Sequence, residues 1–254
     1  MSVLDRIVAV TRERIERDKK AGIPTPKAKK RCPFRFEQSL RQPGLSFICE
    51  VKKASPSKGI LVESFSCRDL ARDYAEAGAD AISVLTEPDF FQGQDWHLQE
   101  INETVELPLL RKDFIIDPFQ IEQSACLGAD AILLICAILQ AEQLADYLRR
   151  ADALDLSCLV EVHDAEELKM ALRAGARVVG INNRDLKNFT VDLGTCLRLQ
   201  ALVPPEVLSV AESGIQTALE VQLLREKGID AVLIGETLVR AADRKSTLAQ
   251  LRGS

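Results

Sequence analysis

The chain has 254 residues, 46% hydrophobic and 28% charged, values of an ordinary globular protein long enough for a full core. A net charge of -5 and a pI near 5.3 argue against nucleic acid as a partner. The longest apolar run, Ala131 to Leu139, is too short to span a bilayer, and no charged start leads into a secretory apolar segment. Seven cysteines (Cys32, Cys49, Cys67, Cys126, Cys136, Cys158 and Cys196) are dispersed without a C-x-x-C pair. That argues for a reducing compartment and against a disulfide or zinc framework, so a soluble cytoplasmic protein is expected.

Residues 2–19 carry Leu4, Ile7, Val8 and Ile15 among charged side chains, the pattern of an amphipathic helix. A polar stretch follows with Lys27, Lys29, Lys30 and Arg31, either a solvated loop or a face toward an anionic ligand. A short helix over 33–41 and Pro43-Gly44 complete an N-terminal helical extension, residues 1–45, expected to pack on the remainder as one structural domain. From Ser46 onward the pattern is regular. Short Val-, Ile- or Leu-rich runs at 46–51, 81–85, 108–112, 131–135, 158–162, 178–182, 207–211 and 231–235 read as strands. Helical patterns lie between them near 66–77, 97–104, 118–127, 140–153, 165–174, 192–201 and 216–226, and after them near 237–252.

Strand-helix alternation repeated eight times predicts a (β/α)8 barrel over residues 46–254. Gly78-Ala79-Asp80, Gly128-Ala129-Asp130, Gly175-Ala176-Arg177 and Gly228-Ile229-Asp230 recur about two βα units apart, each where a helix stops before an even-numbered strand. Asp117-Pro118 reads as an N-cap with proline at the first helical position. An open doubly wound sheet is the second choice, but no GxGxxG follows the first strand.

In such barrels the active site lies at the carboxyl ends of the strands. Those ends carry Glu50 and Lys52 on strand 1, Lys112 on strand 3 and Glu161 on strand 5. Asn182 ends strand 6 with Arg184 beyond, and Glu212 and Ser213 end strand 7. Strand side chains alternate, so Glu50 and Lys52 share a face with Ile48, Lys112 with Leu110, and Glu161 with Leu159. One such pair is an ordinary surface salt bridge; this many at one height predicts a charged mouth. Two lysines among three carboxylates should hold each other ionised, and a protonated lysine can act as a general acid.

Ala211-Glu212-Ser213-Gly214-Ile215 and Leu233-Ile234-Gly235-Glu236-Thr237 each place glycine where a helix is expected to begin. Loops after strands 7 and 8 commonly hold phosphate on backbone N–H groups. Phe90-Phe91-Gln92-Gly93 puts aromatics on a loop over the mouth, suited to core packing or to an aromatic ligand. His97 reads as a surface residue opening the second helix of the barrel. His163, two past Glu161, reads either as a residue leaning into the mouth or, with Asp164 as the next helix cap, as one without a role in function. Two such separated histidines make no metal site.

Glu50-Val-Lys-Lys-Ala-Ser-Pro-Ser-Lys-Gly, Phe90-Phe-Gln-Gly, Arg111-Lys-Asp-Phe-Ile, Leu159-Val-Glu-Val, Val179-Gly-Ile-Asn-Asn-Arg-Asp-Leu, Ala211-Glu-Ser-Gly-Ile and Leu233-Ile-Gly-Glu together resemble the indole-3-glycerol phosphate synthase family. The likeness covers nearly the whole chain, extension included. It implies a carboxy-lyase of tryptophan biosynthesis, monofunctional, without metal or organic cofactor. The implied substrate is 1-(o-carboxyphenylamino)-1-deoxyribulose 5-phosphate, converted to indole-3-glycerol phosphate, carbon dioxide and water.

By that resemblance Lys112 is the acid for ring closure, Lys52 the donor for dehydration and Glu50 the base that restores aromaticity. Glu161 stabilises positive charge on the anilino nitrogen, and Asn182 and Glu212 hold the sugar hydroxyls. Arg184 and Ser55 hold the anthranilate carboxylate, and Phe91, Phe114 and Leu133 form the wall for the ring. Ser213, Gly214, Gly235 and Glu236 bind phosphate. Some relatives have serine at the place of Glu236, so only its backbone is expected to contribute. A phosphoribosylanthranilate isomerase-like barrel, or a catalytically silent phosphate-binding barrel, is the alternative. The first would need a Cys and an Asp as its acid/base pair. A small-molecule ligand is the expected partner, with no nucleic acid or membrane, in a monomer or else a dimer.

Overall fold

The structure, a computed structural model, describes residues 2–23, 32–185 and 190–253. The basic cluster from Lys27 to Arg31 lies outside them. Eight parallel strands close a barrel in sequential order: β1 (Ser46–Val51), β2 (Ala81–Leu85), β3 (Leu109–Lys112), β4 (Ala131–Ile135), β5 (Ser157–Val162), β6 (Val178–Asn182), β7 (Leu208–Glu212) and β8 (Ala231–Ile234). Nearly every strand residue is buried, because helices cover the outer face and side chains fill the inside. Val, Leu and Ile on the outer faces pack on α3 (Cys67–Glu76), α5 (Asp95–Thr104), α6 (Pro118–Leu127), α7 (Ala141–Asp152), α8 (Ala165–Ala174), α9 (Gly194–Gln200), α10 (Ala218–Glu226) and α12 (Arg244–Arg252). The one long helix expected after β8 is broken into α11 (Glu236–Val239) and α12, which Asp243 caps through Ser246 N–H.

The first helix, α1 (Val3–Ala21), starts on a Ser2–Asp5 capping box. The second, α2 (Arg35–Leu40), sends Phe36 and Leu40 into the inner core with Ile48, Leu110, Leu159 and Leu233. It therefore closes the barrel floor, opposite the strands' carboxyl ends.

The glycine-acid repeat has a structural meaning. Gly78, Gly128, Gly175 and Gly228 all take positive φ, from 78° to 92°, the left-handed turn that stops a helix. The carboxylate that follows then accepts an N–H from the neighbouring odd strand: Asp80 from Phe47 at 2.8 Å, Asp130 from Leu109 at 2.9 Å and Asp230 from Ser209 at 2.7 Å. Arg177 breaks the pattern. It instead forks onto Glu37 of α2 and Asp152 of α7, tying the floor helix to the barrel.

Candidate active site

The mouth is built by strand ends. Glu50 closes the inward file of β1, and Lys52 Nζ donates to its Oε1 at 2.5 Å. Across the opening, Lys112 is the last residue of β3. Its Nζ lies 3.4 Å from Glu161 Oε2 and 3.1 Å from Glu212 Oε2. Asn182 ends β6 in register with Glu212 and accepts the Arg184 N–H at 3.0 Å. Two glycines make room for these groups. A Cβ on Gly180 would strike Glu212 Oε1, and one on Gly235 would strike Glu50 Oε1 and stand 3.0 Å from Lys52 Nζ.

Burial separates the carboxylates. It works to raise Glu50, but Lys52 and Lys112 outweigh it and hold the acid below its usual range. Glu161 is likewise pushed up by burial and pulled down further by Lys112, then by His163 and Asn182. Glu212 is pushed up by burial, and Lys112 alone does not offset that. Among the described residues its Oε1 has no hydrogen-bond partner, and Glu161 and Glu50 repel its charge. The expectation that all the carboxylates stay ionised is therefore corrected: Glu212 is the one that takes a proton most readily. Lys112 is raised: burial opposes its charge, but Glu212, Glu161 and Glu50 together overcome that cost.

These groups open into a cavity of about 690 Å³, a size suited to a small organic ligand. Lining it are Glu50, Lys52, Ser55, Phe91, Lys112, Phe114, Leu133, Glu161, Asn182, Arg184, Glu212, Ser213, Gly214, Gly235 and Glu236, so all the residues picked from sequence converge on one space. Phe91 and Phe114 form one wall, ring centroids 6.1 Å apart. Phe90 and Phe91 belong not to an open loop but to a one-turn helix, α4 (Pro88–Phe91). The Glu87 side chain caps it by accepting N–H groups of Asp89, Phe90 and Phe91. Opposite lie the turns after β7 and β8. Ser213 and Gly214 both have positive φ, 66° and 81°, unusual for serine and concentrated in proteins at functional sites. Gly214 precedes α10 by four residues rather than opening it, whereas Gly235 is the N-cap of α11. The Glu236 carboxylate lies 3.6 Å from Arg240 Nε, one turn along α11.

Several lining residues escaped sequence reasoning. Val3, Leu4 and Ile7 of α1 cover one side of the mouth. Their apolar stripe was visible, but which surface it meets is decided by tertiary packing. Lys58 and Ser57 reach the cavity from the turn of a two-stranded pair, Ala54–Ser55 with Gly59–Ile60, too short to register as strands. His97 is corrected outright. It is buried between Trp96 and Phe65, at centroid distances of 4.1 and 5.2 Å, and burial lowers its pKa. His163 does lean inward, its Nε2 3.3 Å from Glu161 Oε1. Cys49, the cysteine of β1, faces the outer core and takes no part in the mouth, which leaves an isomerase-type Cys/Asp pair without its cysteine on that strand.

A sequence profile described as indole-3-glycerol phosphate synthase matches residues 4–251. The chain is 51% identical to an indole-3-glycerol phosphate synthase of Ruminiclostridium cellulolyticum, covering 99% of each chain. It is 46% identical to one from Endomicrobium trichonymphae, covering 98% of this chain and 99% of the relative. A crystal structure of 3-hexulose-6-phosphate synthase from Salmonella typhimurium superimposes with a TM-score of 0.68 at 14% identity, covering 82% of this chain and 97% of that one; at that identity it supports the barrel fold alone. By its profile match and these identities, the chain belongs to the indole-3-glycerol phosphate synthase family.

Proposed function

We propose that the mouth converts 1-(o-carboxyphenylamino)-1-deoxyribulose 5-phosphate to indole-3-glycerol phosphate, the carboxy-lyase step of tryptophan biosynthesis, with the strand-end residues in distinct roles. The observation that carries this reading is the buried Lys112 ammonium held between Glu161 and Glu212 at the cavity floor. Lys112 gives a proton to the substrate's carbonyl oxygen as the ring carbon bearing the carboxylate attacks the carbonyl carbon. Carbon dioxide leaves, and its bonding electrons restore the aromatic ring. Positive charge then develops on the anilino nitrogen as the new hydroxyl departs as water, with a proton from Lys52. Glu161 faces that charge, and Glu50 removes the ring proton that completes the indole. Asn182 and Glu212 hold the sugar hydroxyls; a protonated Glu212 donates as well as accepts.

Phe91, Phe114 and Leu133 take the aromatic ring, and Arg184 with Ser55 its carboxylate. Phosphate lies on the N–H groups of Ser213, Gly214, Gly235 and Glu236. The same reading treats residues 1–45 and 46–254 as one structural domain of a cytoplasmic monomer that needs no metal or organic cofactor. The test is to mix the protein with the carboxyphenylamino-deoxyribulose phosphate and follow indole fluorescence together with carbon dioxide release. One equivalent of each is expected. Saturable binding without either product would mean a silent barrel and overturn the reading.

A further inference from the structure

Two carboxylates flank Lys112, but among the described residues only Glu161 is paired with a second cation. Its Oε2 faces Lys112, while its Oε1 lies 3.3 Å from His163 Nε2, a residue outside the cavity lining. The contact is an ion pair rather than a well-angled hydrogen bond. The other ring nitrogen, Nδ1, is 3.0 Å from Oε2 of Glu167 in the first turn of α8, and that oxygen also accepts the His163 backbone N–H at 2.8 Å. The imidazole is thereby clamped between a carboxylate of the mouth and one of the outer layer. Asp164, on the same turn, is engaged in capping α8. Burial opposes charge on the ring, but Glu161 and Glu167 outweigh it and raise its pKa to about 10. The ring is a cation throughout the neutral range.

The proposed chemistry makes that cation useful. When Lys112 yields its proton to the substrate it becomes neutral, and Glu161 keeps only one of its two positive partners, His163. Glu161 must nevertheless remain negative for the step that follows. We infer that His163 is a positioning residue of the reaction, whose imidazolium, anchored by Glu167, fixes the Glu161 carboxylate and keeps it ionised after Lys112 has discharged. This rests on the role given to Glu161 above. It also explains the asymmetry across Lys112, since among the described residues Glu212 is ion-paired to Lys112 alone.

The test compares kcat and KM from the lowest pH at which each protein stays folded up to about pH 9 for the wild type, Glu161→Gln, His163→Gln and Glu167→Gln. His163→Gln keeps the size and removes the charge. It should lower kcat roughly ten- to a hundredfold, leave KM within about twofold and move the acid limb of kcat to higher pH, because Glu161 then takes a proton more easily. Glu167→Gln should move the same limb the same way, by less. A purely structural histidine would change the melting temperature and leave the limb in place. A wild-type kcat and an unmoved acid limb in His163→Gln, with Glu161→Gln inactive, would overturn this inference alone. Full activity of Glu161→Gln would instead overturn the role of Glu161 itself. Should His163→Gln fail to fold, Glu167→Gln decides: an unmoved limb there overturns the inference.

Discussion

A missing methyl group matters at two positions in the mouth. Gly235 gives Glu50 and Lys52 the space in which they meet, and Gly180 does the same for Glu212. Gly235→Ala should therefore displace the Glu50–Lys52 pair and lower kcat roughly a hundredfold, while thermal unfolding shifts by only a few degrees. Steady-state kinetics beside a melting curve would check this; full activity would show that the pair tolerates displacement. At this scale the sequence was informative about position. Inward parity with Ile48, Leu110 and Leu159 placed Glu50, Lys112 and Glu161 at one height. It was silent about which carboxylate takes a proton, because that depends on burial, on Asn182 and on His163 across two elements. His97 misled for a related reason: Phe65, which covers it, is distant in sequence.

The helix α1 was legible as an element, but its docking was not. Arg14 Nη2 donates to Asp113 Oδ1 at 2.7 Å, and Asp113 also accepts from Thr86 and Arg111. Burial would raise the Asp113 pKa, yet Arg14 and Arg111 hold it below 3.8. A depressed folded-state value means that the unfolded chain takes up the proton first as pH falls. The stabilisation is thus complete above 3.8 and lost as pH drops below that toward the folded value. Urea titrations at falling pH should show this loss in the wild type and a flatter profile in Asp113→Asn; parallel profiles would contradict it. The repeat Gly-Ala-Asp was also visible in sequence, but not its purpose. Only the register between neighbouring strands shows each Asp tying the start of an odd one. Where Arg177 replaces it, Arg177→Ala leaves the buried Glu37 carboxylate without its fork and should cost about 1–3 kcal/mol in urea unfolding.

At the scale of the molecule, the barrel has a floor and a mouth with different duties. Phe36, fully buried on α2, fills the floor among Ile48, Leu110 and Leu159. Phe36→Ala should cost about 3–5 kcal/mol of stability by opening a cavity there. The closed sheet was readable because buried parallel strands are uniformly apolar and recur at regular intervals. The split after β8, the hairpin of Ala54–Ser55 with Gly59–Ile60 and the plugging of the floor are set by tertiary contacts that no local pattern encodes. What the architecture delivers is two carboxylate-paired ammonium groups over one cavity, Lys112 between two carboxylates and Lys52 on a third. The decisive measurement is single-turnover analysis of Lys112→Met and Lys52→Met with trapping of intermediates. Lys112→Met is expected to return unclosed substrate, and Lys52→Met to accumulate the closed, decarboxylated alcohol that has not lost water. A dehydration block in the Lys112 variant, with ring closure intact, would contradict the assignment.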